Sequence, residues 1–278
     1  MEIEQTGFIF GIQLQALTRH RLFGSKVSAI FRRARLRIGD RDPGVVILEV
    51  VLVILGIAVV IAFVVIGAHL ERKRREAFRQ LAKELGLKFR TDDRSIERRY
   101  GFLDALSKGS KRKATICLSG TFGNYSVEAF EFYYETYSTD SKGNRTTHHH
   151  YTNHCVLEGG EHDSDDHGTS FRYPELKIYP ETFLSKIGQT MGYEDIDFES
   201  IEFSKSFTVR SKDKKFAYDV CHTRMMEYLL KHKDFAIEIE GRYISLTFVN
   251  KLKIEDVEGG LKQLIKIREL FPGYIYDD

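Results

Sequence analysis

The stretch 45–70, VVILEVVLVILGIAVVIAFVVIGAHL, limits what this chain can fold into more than any other feature. Val50 to Ala68 is 19 residues without a charge. At about 1.5 Å per helical residue this matches the roughly 30 Å hydrocarbon layer of a bilayer. A core helix of a soluble protein is apolar along one stripe, whereas this segment is apolar on every side. The cluster ERKRR, Glu71 to Arg75, follows at once, and about 200 residues of mixed composition lie behind it. The stretch therefore predicts a transmembrane helix with a water-soluble domain attached, and a bilayer as the first partner.

Charge is distributed unevenly along the 278 residues. Residues 1–75 hold 12 Lys/Arg against 6 Asp/Glu, and the remainder holds 30 against 34, within an overall formal charge of +2. The basic excess lies beside the apolar stretch, where anionic lipid would attract it. The distal part is mildly acidic, which argues against nucleic-acid binding driven by phosphate neutralisation. Cys117, Cys155 and Cys221 are widely spaced and odd in number, so no disulfide framework is expected.

Four parts follow: 1–44, 45–70, 71–107 and 108–278. No acidic residue occurs between Gly7 and Gly39, while Phe23, Val27, Ile30, Phe31 and Ala34 recur at helical spacing. Residues 1–44 are either a basic amphipathic segment on a membrane surface, a disordered basic tail, or the product of an over-long translation start. The apolar run is too long for a cleavable signal and begins too late. Glu49 lies one turn into the run, near its end, which suits an interfacial carboxylate better than an intramembrane relay. Five basic residues flank the run on one side within about 15 residues, and six on the other. The second cluster is denser and nearer, and this places the large domain in the cytoplasm of a single-pass membrane protein.

Beyond the span, Ala77, Phe78, Leu81, Ala82 and Leu85 continue a helical stripe that Gly86 should stop. Residues 94–106 read as a second short helix. Alternation then predicts strands at 114–118 and 125–137, a Gly-Asn turn within 138–145, and a returning strand at 146–157. The stretch 158–170, EGGEHDSDDHGTS, reads as an exposed loop. Further strands are expected at 176–179 and 203–209. Helices are expected from Pro180 to about Thr190 and from Asp213, a hairpin across Gly241, and a C-terminal helix before Pro272-Gly273. The fold class is α+β: one transmembrane helix, then a mostly antiparallel sheet domain with packed helices.

The segment 192–230 carries a resemblance. Asp195, Ile196, Phe198 and Glu199, then Glu202, Phe203 and Phe207, then the helix from Asp213, resemble the shared pattern of a group of uncharacterised prokaryotic single-span, membrane-anchored proteins. Gly86, Leu87 and Phe89 after a helix, and Pro180 with Glu181, extend the likeness to about residues 45–275. The first 44 residues and the His-rich hairpin depart from it. The resemblance implies an anchor and a soluble domain, and no mechanism.

His148, His150 and His154 are the residues with the clearest chemical potential. On a strand they share one face. Imidazoles in that arrangement suit a divalent transition metal, with Asp163, Asp165 or Asp166 completing a shell from the loop. An exposed polar strand explains the same residues. The acidic run Glu194, Asp195, Asp197, Glu199 and Glu202 alternates with Ile196, Phe198 and Phe203, the pattern of a solvated edge over core residues. Tyr133, Tyr134 and Tyr137 with Phe130 and Phe132 suit packing better than ligand stacking. No nucleophile elbow, phosphate loop or dinucleotide fingerprint is present. The functional expectation is a membrane-tethered binding domain, an adaptor or sensor with a protein partner. The alternative is a metal sensor or metal-dependent hydrolase built on the His-rich hairpin.

Overall fold

A computed structural model describes residues 43–159, 172–183 and 195–276, and in it the apolar stretch is one continuous helix, α1 (Pro43–Glu84). The chain divides into two units, one ending at Glu71 and one beginning at Arg72. In the first unit the helix is long and apolar enough to cross a membrane, and none of its apolar window is buried. Phe63 is 73% exposed. The basic segment before Pro43 lies outside the described residues, as do the loop 160–171 and residues 184–194.

In the second unit α1 ends as Gly86 predicts. The Leu87 amide donates to the Ala82 carbonyl and the Gly86 amide to that of Lys83, with Gly86 at φ +69°. This pair of bonds satisfies carbonyls that a helix end leaves open, and only a residue free of a Cβ takes that φ without strain.

Among the described residues eight strands follow: β1 (Lys88–Arg90), β2 (Ser110–Phe122), β3 (Tyr125–Thr139), β4 (Arg145–Glu158), β5 (Tyr173–Pro180), β6 (Phe207–Ser211), β7 (Ala236–Gly241) and β8 (Tyr243–Phe248). They form one sheet in the order β1-β2-β3-β4-β8-β7-β5-β6, and every neighbouring pair is antiparallel. The α+β expectation holds, with all eight strands antiparallel.

One face of the sheet carries the main core. Ile116, Leu118, Val127, Ala129, Leu157, Ile178, Ile237, Ile239 and Leu246 pack there under Phe78 and Ala82 of α1, and under helices α4 (Lys214–Val220), α5 (Thr223–Lys231) and α6 (Ile254–Leu270). Arg74 is drawn into this face. Its guanidinium donates to both oxygens of the buried Glu131, at 3.2 and 2.6 Å, and to the Leu252 carbonyl at 2.8 Å. Arg75 pairs with Asp92 and Arg79 with Glu76. Part of the juxtamembrane basic cluster is thus committed to the protein's own carboxylates.

Three local expectations change. Residues 94–106 form a single turn, α2 (Ile96–Arg99), and a separate 3-10 turn over Asp104–Ser107, with Gly101 between them. The segment 203–209 is not one strand: Ser200 caps a helix, α3 (Ile201–Ser206), by accepting from the Phe203 amide, and β6 begins at Phe207. The helix that Asp213 caps breaks at Cys221-His222, where His222 is extended and its Nε2 sits 2.8 Å from the Leu270 carbonyl.

Candidate functional site

Alternation in β3, β4, β5, β7 and β8 sends half of each strand's side chains to the second face, where a solvated surface would be expected. The segment containing α2 and the 3-10 turn covers that face. Ile96, Tyr100, Leu103 and Leu106 pack there on Ala114, Cys117, Phe130, Phe132, Tyr134 and Val156. One cross-strand row beneath it runs Glu128, Val156, Ser245, Glu238, Lys177, Arg210. All six are buried.

The charges in this row are hydrogen-bonded. Glu238 accepts from the Asp104 amide at 2.8 Å, from the Tyr179 hydroxyl at 3.1 Å and from Thr247 Oγ1 at 3.1 Å. Lys177 Nζ donates to Asp104 Oδ1 at 2.6 Å, and the Tyr179 hydroxyl to Asp104 Oδ2 at 2.7 Å. Burial pushes the Glu238 carboxyl up to about 7, helped by the charge of Asp104 and opposed by that amide, by Lys177 and by Thr247. A second group surrounds the buried Glu128. Arg99 Nη2 lies 3.0 Å from each of its oxygens, Arg90 Nη2 donates to it at 2.6 Å, and the Tyr100 hydroxyl at 2.8 Å. Arg99 also reaches Asp93 Oδ2 at 3.2 Å and Ser95 Oγ at 2.9 Å.

Where this face meets the β7–β8 turn, a cleft of about 580 Å³ opens, lined by Arg99, Gly101, Phe102, Arg172, Glu240, Gly241, Arg242 and Tyr243. Its aromatic wall is ordered: the Phe102 and Tyr243 rings are parallel within 5° at 5.9 Å, and Tyr100 meets Tyr243 edge-on at 5.2 Å. Gly241, at φ +62°, leaves open space where a side chain would stand. Arg242 pairs with Glu158, whereas Arg172 has no ion-pair or hydrogen-bond partner among the described residues. The cleft combines guanidinium donors with a stacked pair of aromatic rings, polar and apolar groups of the kind a small-ligand site uses.

The three histidines share the second face of β4, as strand geometry requires, and each has a different environment. His148 Nε2 lies 2.8 Å from Ser138 Oγ at the exposed end. His150 Nε2 lies 2.7 Å from Thr136 Oγ1, and its ring stacks on Tyr134. His154 is fully buried against Phe130, with Nδ1 3.0 Å from Thr247 Oγ1 and Nε2 2.9 Å from Thr152 Oγ1. Burial pushes His154 down to about 3 and holds it neutral. His150 and His154 stand four residues apart along a strand, about 13 Å. The loop residues His162, Asp163, Asp165, Asp166 and His167 lie outside the described residues.

Among the described residues the donors gathered within 4.8 Å of one another are instead Asp93, Cys117 and Glu128. Burial, then the charges of Glu128 and Asp93, push the Cys117 thiol well above its ordinary value. Both carboxylates are already held by Arg90 and Arg99. A cation there would compete with two guanidiniums for a protonated thiol, so the chemistry of the set is that of an ion-pair network.

In the acidic run, Asp195 accepts from Arg210 Nε at 2.7 Å, and Ile196 and Phe203 are buried. Phe130, Phe132 and Tyr134 are core, while Tyr133 and Tyr137 lie on the other face and donate to Glu135. Neither the cleft nor Glu238 is announced by any motif. Arg99, Arg172 and Arg242 are far apart in sequence and meet only through the strand order.

No family model matches the sequence, and no curated protein matches it. Among solved structures, the mycobacterial trehalose monomycolate transport factor A, TtfA, is similar at 11% identity and a TM-score of 0.48. The match covers 72% of this chain and 95% of that one. At that identity and score it assigns no function here.

Proposed function

We propose that this chain is a membrane-tethered binding protein, an adaptor or sensor, whose sheet domain lies in the cytoplasm and takes its ligand in the Arg99–Tyr243 cleft. The observation that carries the reading is an unburied apolar helix of bilayer length leading into an eight-stranded domain. The chemistry at the cleft agrees with recognition. Asp93 and Glu128 behind Arg99 are locked by guanidiniums, and a carboxylate so held is a poor general base. Alkaline carbonate extraction of membranes from cells expressing the full chain tests the anchor. The chain should stay in the pellet. Asp at both Val59 and Val60 should release it, since each charge at a helix centre costs about 3 kcal/mol of insertion free energy. Recovery of the unaltered chain in the soluble fraction would sink the tethering.

A further inference from the structure

The cleft's lining identifies the class of ligand it takes, given the reading of the cleft as the binding site. Three of its eight lining residues are arginines and one is a carboxylate, Glu240. Arg99 is fixed in place by Glu128, Asp93 and Ser95, so its position needs no rearrangement when a ligand arrives. Arg242 is shared with Glu158, and Arg172 is exposed and has no partner among the described residues. A guanidinium offers five donors in a planar fork, more than one carboxylate uses, and its natural partners are carboxylate and phosphate oxygens. Against these donors stand the parallel rings of Phe102 and Tyr243. An inorganic anion would leave that wall unused, and a neutral ring would leave the guanidiniums unused.

We infer that the cleft binds a small organic anion, a carboxylate or phosphate carried on a flat apolar body, with Arg172 and Arg242 on the anion and Phe102 and Tyr243 against the body. Glu240 opposes the anion and limits its affinity.

Isothermal titration of the detergent-solubilised full chain tests this with four probes: phenyl phosphate, benzoate, inorganic phosphate and benzyl alcohol. Phenyl phosphate and benzoate should each bind more tightly than inorganic phosphate or benzyl alcohol. Arg172→Ala should weaken phenyl phosphate about tenfold, the scale of one lost charge-assisted contact. Phe102→Leu should remove the advantage of phenyl phosphate over inorganic phosphate. Glu240→Gln should tighten binding several-fold through loss of a like charge. Arg172 and Glu240 are exposed, so their substitution should leave the thermal unfolding midpoint unchanged and keep the readout on binding. Benzyl alcohol binding as tightly as phenyl phosphate would overturn the ligand class and leave the binding-module reading intact. Anion binding indifferent to Arg172→Ala would overturn the assignment to this cleft. Failure of all four probes would overturn the ligand class, and release of the chain from membranes by carbonate would overturn the tethering, so the two readings fail separately.

Discussion

Glu238 shows how far a residue's role can depart from its sequence setting. In AIEIEG the alternation places it on the polar side of β7, opposite Ile237 and Ile239. Its carboxyl is nonetheless fully buried, facing Asp104 and Lys108 of the covering segment, Lys177 and Tyr179 of β5 and Thr247 of β8, with neutral His154 beyond Thr247. Burial sets its folded value at about 7 against 4.5 for the free side chain. A carboxyl raised on folding stabilises fully below the unfolded value, and that contribution is lost as pH rises through the folded one. Stability from this group should therefore fall between about pH 4.5 and 7, by on the order of 3–4 kcal/mol at about 1.4 kcal/mol per unit. His154 and His150, both lowered on folding, act in the opposite direction. The measurement is consequently the difference between wild type and Glu238→Gln in urea unfolding across that range. The variant should lack the decline, and identical profiles for the two proteins would refute the account.

At the scale of elements, adjacent glycines of α6 make a paired prediction. An added Cβ at Gly259 meets nothing within 4 Å, while one at Gly260 would stand 2.9 Å from Cys155 Sγ in β4. Gly259→Ala should stabilise the protein by about 0.5–1 kcal/mol, the helix-propensity difference. Gly260→Ala should destabilise it by about 1–3 kcal/mol, because the helix must move off the sheet or Cys155 must shift. Urea midpoints measured side by side decide the point, and effects of the same sign would count against this packing. Elements set by short-range chemistry were legible in sequence: the Gly86 stop, the Asp213 cap, the hairpins around Asp140–Asn144 and Gly241, and the C-terminal helix. Of the three misread, the turn at 201–206 has a local cause, the Ser200 cap on the Phe203 amide, and the other two were decided at longer range. His222 breaks the helix begun at Asp213 by engaging Leu270, and α2 is cut short where Arg99 turns to Glu128 and Asp93.

At the scale of the molecule, all three cysteines are buried, at 0, 1 and 2% exposure for Cys117, Cys155 and Cys221. Burial also pushes the Cys155 thiol up to about 12, so it is neither reachable nor ionised. Native cysteines should resist a membrane-impermeant maleimide in intact cells and in gently lysed cells alike, reacting only after denaturation. Orientation is then readable from Ser141→Cys in the exposed β3–β4 turn. A cytoplasmic domain should be protected in intact cells and labelled after gentle lysis. Labelling before lysis would place the domain outside and reverse the orientation proposed for it.

The sequence by itself determined the apolar helix, the α+β class, the antiparallel hairpins and the shared face of His148, His150 and His154. Each is a matter of length, two-residue alternation or turn chemistry between near neighbours. Tertiary structure alone decided that β8 pairs with β4 and β7 with β5. It also decided that residues from α2 to Ser107 cover the sheet's second face. Those pairings join residues up to about a hundred positions apart, and no local pattern encodes which strand edge will meet which. They bury Glu238 and His154, withdraw Arg74 onto Glu131, and bring Arg99, Arg172 and Arg242 to one cleft.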